Sequence, residues 1–389
     1  MQYFRSVTKT NSDGDRERSG KTSRGGKGAK KTFPVAKEGP RRRATLSDVS
    51  QMAGVSNATV SRVLAGNYPV SVTTKNRVMR AVRQLDYVVN AQARALQAGA
   101  SRTIAFVLHD ITGPSFAEAA AGVEEEAARH GRLCVVCTTN GSQERQSKVI
   151  DLMRAQGAEA VILIGGADND EESHGRLVTY ARSLAAAGSR LVLCGCPPPR
   201  EPLPVTVIDY DNEAGAYAAT AHLLSQGHRR ILFVGKGEGY TTSEARFAGY
   251  LRALTSFGIE PDPALQVVVD FSRAASVRAM REVLARRLAF TAVFAASDMT
   301  AAGCMQVLRE QGRKVPEDVS VVGYDDIPMA IDMTPRLTTV HVPYRELGRA
   351  AVRHVMELDP AARQDLDYVV LGTHLMARES VAPPSVEPT

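Results

Sequence analysis

The stretch Thr45-Leu-Ser-Asp-Val-Ser-Gln-Met-Ala-Gly-Val-Ser-Asn-Ala-Thr-Val-Ser-Arg-Val-Leu64 holds two helix starts in close succession. Thr45 and Asp48 stand at capping-box spacing, in which hydroxyl and carboxylate satisfy the first free amides of a helix reciprocally. Leu46, Val49 and Ala53 then recur on one helical face. Gly54-Val55-Ser56 breaks that helix, and Ser56 is placed to cap a second, whose Val60, Val63 and Leu64 turn inward. Gly66-Asn67-Tyr68-Pro69 reads as a loop. Ser71 opens a third helix with Val78, Val82 and Leu85 on its buried side. Two short helices joined by a tight turn and closed by a third make an all-α helix-turn-helix unit, assigned to residues 44–89.

Toward the C-terminus, residues 90–101 are Ala-rich with good helix formers and one large apolar residue, Leu96. So short a helix is marginal alone and needs a partner, which predicts a conditional hinge. Beyond Arg102, apolar β runs alternate with amphipathic helical stretches. The first strand series is Ile104–Leu108, Leu133–Thr138, Ala160–Ile164 and Leu191–Cys194. A second runs Ile231–Val234, Val267–Val269, Ala292–Ala295 and Val319–Gly323. This alternation predicts two α/β lobes, each a parallel sheet covered on both faces, with a ligand crevice at the carboxyl ends of the strands.

Toward the N-terminus the texture is different. Residues 1–43 hold 13 Lys/Arg against 4 Asp/Glu and hardly any apolar residues, which predicts a disordered basic tail. Gly20-Lys21-Thr22 is no phosphate loop, because Asp15 stands where the pattern needs glycine. Residues 44–100 are net +4 and residues 101–389 net −7, so the overall +6 hides a basic front on an acidic body. Such segregation points to a polyanion-binding head on a body with another task. No apolar run is long enough to span a membrane, and no secretory signal opens the chain. Five unevenly spaced cysteines make no disulfide framework. Cys134 and Cys137, on one strand, read as buried reduced thiols, and a cytoplasmic location is expected.

The quoted stretch resembles the helix-turn-helix signature of the LacI/GalR family of bacterial transcriptional regulators. Arg246-Phe-Ala-Gly-Tyr250, Ser297-Asp298, Val319-Ser-Val-Val-Gly-Tyr-Asp-Asp326 and Pro335-Arg-Leu-Thr-Thr-Val340 are similar to that family's later landmarks, in unbroken order over about residues 44–380. The resemblance implies a homodimer whose headpieces read a palindromic double-stranded DNA operator. It also implies a two-lobed, periplasmic-binding-protein-like body (102–380) whose effector alters DNA affinity. The first lobe is placed at about 102–208 and 342–365, the second at about 209–341 and 366–380, with a C-terminal tail at 381–389. The 43 residues ahead of the headpiece depart from the family pattern; they are either an accessory or lie upstream of the true start.

The same resemblance places Asn57, Ala58 and Arg62 at base-reading positions. An Arg fork suits guanine, an Asn amide adenine, and a methyl thymine. Thr45, Ser56, Thr59 and Ser61 read as phosphate anchors or caps that set register. Asn90 and Leu96 match the hinge segment, whose leucine wedges into the minor groove. In the body, Arg246 matches an effector-binding arginine. Phe271 stands where an aromatic often lies against the ligand, Ser115 and Phe116 line the first lobe, and Asp298 and Asp325 offer carboxylates. Asp298 reads equally as a helix N-cap. Gly195-Cys196 replaces an acidic residue found there in several members, so no familiar ligand transfers directly.

Catalysis is not expected. The sequence lacks the glycine pattern of a dinucleotide site, a nucleophile elbow and a metal-spaced histidine cluster, and no cofactor or metal is implied. His228 and His341 read as surface or loop residues. Three functions remain open: an effector-responsive repressor bound to a carbohydrate-like or other polar metabolite, a regulator controlled by a protein partner, and a ligand-binding protein with a vestigial head.

Overall fold

The computed structural model describes residues 42, 44–65, 69–87, 103–166, 169–237, 239–357 and 366–385. The N-terminal tail apart from Arg42, the hinge residues Asn90 and Leu96, and Gly66-Asn67-Tyr68 of the loop lie outside them. The chain divides into two compact units, residues 1–88 and 89–389.

The smaller unit contains α1 (Leu46–Ala53), α2 (Asn57–Ala65) and α3 (Val72–Gln84). Val49, Ala53, Val60, Val63, Val78 and Ala81 are its buried core, with Val82 and Leu85 only half-buried against it. Gly54, at φ 62°, ends α1 in the left-handed conformation, where a side chain would strain the turn into α2.

The larger unit holds two six-stranded sheets. The first contains β1 (Thr103–Leu108), β2 (Leu133–Thr138), β3 (Ala160–Ile164), β4 (Arg190–Cys194), β5 (Val205–Tyr210) and, late in the chain, β11 (Asp367–Leu371). Their order is β11-β5-β4-β3-β1-β2, all parallel. Between them run α4 (Pro114–Arg129), α5 (Gln143–Ala155) and α6 (Glu171–Ala186). The second sheet follows α7 (Asn212–Ser225). Its strands are β6 (Ile231–Lys236), β7 (Gln266–Val268), β8 (Ala292–Ala295), β9 (Ser320–Asp325), β10 (Thr338–His341) and β12 (His374–Met376). Its order is β12-β10-β9-β8-β6-β7, with β12 alone antiparallel. α8 (Thr241–Ser256), α9 (Arg273–Ala285), α10 (Asp298–Glu310) and short α11 (Met329–Asp332) belong to this lobe, and α12 (Tyr344–Glu357) packs on α4 of the first.

The chain passes between lobes three times: after Tyr210, between His341 and Tyr344, and between Leu371 and His374. This corrects the expected lobe limits. Residues 367–371 belong to the first lobe, because β11 pairs in parallel with β5 from Asp367↔Thr206 to Leu371↔Tyr210. The expected 208/209 boundary cuts through β5, whose six residues are all buried. Cys134 and Cys137 are half-buried free thiols rather than core residues, because β2 is an edge strand. His228, expected at the surface or in a loop, lies in the loop ahead of β6 but is buried, between Thr291 Oγ1 (2.9 Å) and the Ala382 carbonyl (3.0 Å), pinning the C-terminal segment to the second lobe.

Candidate DNA-reading helix and effector cleft

In the headpiece, Thr45 is a cap. Its Oγ1 accepts the Asp48 N–H at 3.3 Å while the Asp48 carboxylate accepts the Thr45 N–H at 2.7 Å. The Thr45 N–H, and after it the Thr45 hydroxyl, which donates to the same carboxylate at 2.8 Å, hold Asp48 below its ordinary value. Ser56 likewise caps α2, its Oγ accepting the Thr59 N–H at 3.2 Å and meeting the Thr59 hydroxyl at 2.9 Å. Val60 and Val63 face the core, so Asn57, Ala58 and Arg62 lie on the opposite, exposed side of α2, with Thr59 and Ser61 half-buried at its margins. An amide, a methyl and a guanidinium on the first turns of an open helix face are the groups that read base edges in a major groove.

In the body, Arg246 is the centre of a buried knot. It is 2% exposed, on the second turn of α8. Its Nε donates to Asn212 Oδ1 (2.9 Å) and its Nη1 to the Ala296 carbonyl (2.5 Å). Its Nη2 pairs with Asp325 Oδ1 at 3.0 Å and lies 3.4 Å from the Tyr210 hydroxyl. The guanidinium stacks on Tyr324 with its carbon 3.8 Å from the ring centroid, and Phe271 stands 5.5 Å away. Tyr344 donates its hydroxyl to Asp325 at 2.8 Å. Burial disfavours the Arg246 charge, but Asp325 and the surrounding phenols outweigh it and hold the group above its ordinary value. Burial pushes the Asp325 carboxyl up, with Arg246 and Tyr344 opposing.

These partners come from different places. Tyr210 ends β5, Asn212 opens α7, Asp325 ends β9 and Tyr344 opens α12. The knot therefore straddles two of the three passages between lobes. Asp325 (φ 110°) and Asp326 (φ 55°) turn the chain there in left-handed conformations that favour glycine, and the ion pair helps hold that turn.

Two cavities flank the inner end of α4. The first, of about 450 Å³, opens at the carboxyl ends of the first sheet, with His109, Phe116, Gln146, Asn169, Tyr240 and Thr241 on its wall. The second, of about 460 Å³, is lined by Ser115, Asp325, Ile327, His341, Tyr344 and Arg378 among others. The expected effector residues thus do not converge on one cavity: Phe116 faces the first, and Ser115 and Asp325 face the second. Arg246 sits in the knot at the passages between lobes, and Phe271 stands beside it, meeting Tyr240 edge-on at 6.4 Å.

Asp298 is not the N-cap that one reading of it expected. Ser297 is the α10 cap, accepting the Thr300 N–H at 3.1 Å. Asp298 is fully buried, accepting the Ile327 N–H (2.9 Å) and the Thr339 hydroxyl (2.5 Å). It clips α10 to the strand ends of β9 and β10, and burial, with Asp325 second, drives its carboxyl well above the ordinary range. Sequence reasoning passed over Tyr210, Asn212 and Tyr344, and also Asn169 and Tyr240. The first two adjoin the unrecognised strand β5. A usable signal for Tyr240 was its position just ahead of the helix that carries Arg246. Among the described residues no group of His, Cys, Asp and Glu is arranged to hold a metal ion, and no helix is long and apolar enough to cross a membrane.

Residues 45–90 match the model for bacterial regulatory proteins of the lacI family, and residues 220–381 the periplasmic binding protein-like domain. The HTH-type transcriptional regulator CelR of Thermobifida fusca is 35% identical over 345 residues, covering 87% of this chain and 99% of CelR. The transcriptional repressor CytR of Escherichia coli K12 is 34% identical over 338 residues, covering 87% and 95%. Among solved structures, a CelR–cellobiose complex is similar with a TM-score of 0.64 at 34% identity, covering 87% of this chain and 100% of that one. A Lac repressor dimer bound to operator and the anti-inducer ONPF has a TM-score of 0.77 at 25% identity, covering 88% and 100%.

Proposed function

The chain belongs to the lacI family of bacterial regulatory proteins, a family of non-enzymatic DNA-binding regulators, and from that premise we propose that it is an effector-controlled repressor acting as a homodimer on a palindromic operator. We assign operator reading to residues 44–89, hinge action to 90–101 and effector control to 102–380. The observation that carries the reading is the exposed face of α2, where Asn57, Ala58 and Arg62 stand clear of a core built on Val60 and Val63. Asn57 and Arg62 read bases, Ser56, Thr59, Ser61 and Thr45 fix register, and paired hinges insert Leu96 at a deformable operator centre.

The effector is a small polar metabolite, sugar- or nucleoside-like, held between the lobes. CelR, which has been solved with cellobiose, supports a carbohydrate as the first candidate. Aromatic and hydroxyl groups such as Phe116, Tyr240 and Thr241 at a cavity of about 450 Å³ suit such a ligand.

Two experiments test this. In a gel-shift titration, Arg62→Ala loses about 10- to 100-fold in operator affinity, the worth of one bidentate base contact, while random DNA binding stays nearly constant. Equal loss on both DNAs removes Arg62 from base reading. A melting screen with cellobiose, other sugars and nucleosides raises the transition of the body for a true effector. No shift with any of them, beside intact operator binding, favours control by a protein partner.

A further inference from the structure

The lobes touch directly at the rim of the first cavity, away from the three connecting strands. The Asn169 N–H in the first lobe donates to the Gly239 carbonyl in the second at 2.7 Å. The Asn169 Nδ2 donates to Glu244 Oε2 at 3.3 Å, and the other Glu244 oxygen accepts the Gly239 N–H at 3.0 Å. On the first-lobe side, Arg200 donates to Asn169 Oδ1 at 2.9 Å and is itself paired with Glu171 at the start of α6. A single side chain therefore joins the loop after β4, through Arg200, to the start of α8, while also lining the cavity.

The neighbouring contact is close. A Cβ on Gly166 would stand 2.5 Å from Thr242 Oγ1 and 2.8 Å from the Tyr240 ring, so only glycine permits this approach of the lobes. Asn169 suits the position chemically: its amide donates to a carboxylate on one side and accepts from a guanidinium on the other. An acid there would repel Glu244, and a base would repel Arg200.

We propose that Asn169 is the positioning residue of the cavity mouth, a latch through which the state of the cavity and the apposition of the lobes are coupled. Resting on the effector-regulated reading, the proposal adds the residues by which a ligand at this rim controls closure. A ligand that bonds the Asn169 amide competes with or reinforces the link to Glu244, and so changes the balance between closed and open lobes. The link is built of exposed hydrogen bonds rather than buried apolar surface, so it opens at low cost.

The test is amide hydrogen exchange on the full chain without ligand. In Asn169→Ala, peptides over 164–176 and 239–247 exchange at least about three-fold faster, and those over β5, β10 and β11 are unchanged. Gly166→Ala, a wedge that leaves every latch partner in place, gives the same pattern. Glu244→Gln keeps one acceptor oxygen and sets an amide donor where the other stood, so it loses one of the two bonds and exchanges between the parent and Glu244→Ala, which follows Asn169→Ala. Unchanged exchange at both segments in Asn169→Ala overturns the latch, as does a uniform rise across the body, which marks a folding defect. Operator affinity measured on the same variants separates the two readings. A shift of about three-fold or more supports coupling to the headpiece. Unaltered operator binding beside faster local exchange keeps the latch but counts against effector control of DNA binding.

Discussion

Replacing Arg246 by Met tests whether the central arginine is held by its own protein before any ligand arrives. The substitution deletes an ion pair, two short hydrogen bonds and the stack on Tyr324 from a site where the side chain is 2% exposed. Asp325, 12% exposed, is left with the Tyr344 hydroxyl as its near partner, and the Asn212 and Ala296 oxygens lose their donor. Breaking one side of a buried pair costs about 3–5 kcal/mol, most of it from the stranded charge. Asp325→Asn strands the guanidinium instead, but leaves it bonded to Asn212 and Ala296, so its cost is smaller, about 2 kcal/mol. The double variant buries no charge and is less destabilised than the two losses added together, by about 2–3 kcal/mol.

The pH dependence carries a sign. Burial already raises the Asp325 carboxyl, and Arg246 is the main group opposing that rise. Without it the folded-state value climbs further above the unfolded one. The stability held by the protonated acid is then fully present below the unfolded value and lost as pH rises through the folded value. The Arg246→Met deficit is therefore largest at neutral pH and shrinks on acidification. Urea unfolding of the four proteins by far-UV circular dichroism reads this, the chain having no tryptophan. Single-variant losses that add to within about 0.5 kcal/mol, or a deficit constant between about pH 5 and pH 8, refute the knot as a coupled unit.

Other substitutions probe separate parts of the molecule. Burial pushes Asp209 up to about 6, so from its ordinary 3.8 the folded protein loses about 3 kcal/mol as pH rises through that window; Asp209→Asn should raise the melting temperature at about pH 8 and roughly half as much in free energy at about pH 5. Gly348→Ala places a methyl carbon 2.2 Å from the Ala119 carbonyl oxygen where α12 crosses α4, and thermal unfolding should show a loss of about 3 kcal/mol or more. Thr45→Ala removes the α1 cap and should weaken that helix by about 1 kcal/mol, seen as faster amide exchange over residues 46–53 in the intact chain.

Much of this was legible in the residues because its physics is local. The bond between Thr45 and Asp48 spans three residues, and a capping box needs nothing from the rest of the chain. Of the eight strands recognised, six are inner apolar runs that stay mostly buried whichever neighbour they pair with, and β2 and β7 are apolar runs at the sheet edges, half-buried or exposed. The strands passed over are β5, β10, β11 and β12. β5 and β10 carry buried polar residues, Thr206 and Asp209 in one and Thr338 and Thr339 in the other, which interrupt the apolar signal. β11 and β12 lie at the sheet ends, with alternate residues of β11 exposed.

The site divides along the same line. The resemblance grouped Arg246, Phe271, Asp298 and Asp325, and the apolar period marked α2 as a helix with one exposed face. What each side chain does there was decided by partners far away in the chain. Asp325 reaches Arg246 across 79 positions, Asp298 is taken up by Thr339, and Asn169 meets Glu244 from the opposite lobe. The helix-turn-helix headpiece, the paired α/β lobes and the family could be read from the residues alone, because caps, turns and hydrophobic periods act over a few residues. Which sheet β11 joins and which carboxylate neutralises the buried arginine emerged with the folded chain. Strand pairing and charge burial are settled by groups that meet after the chain has folded.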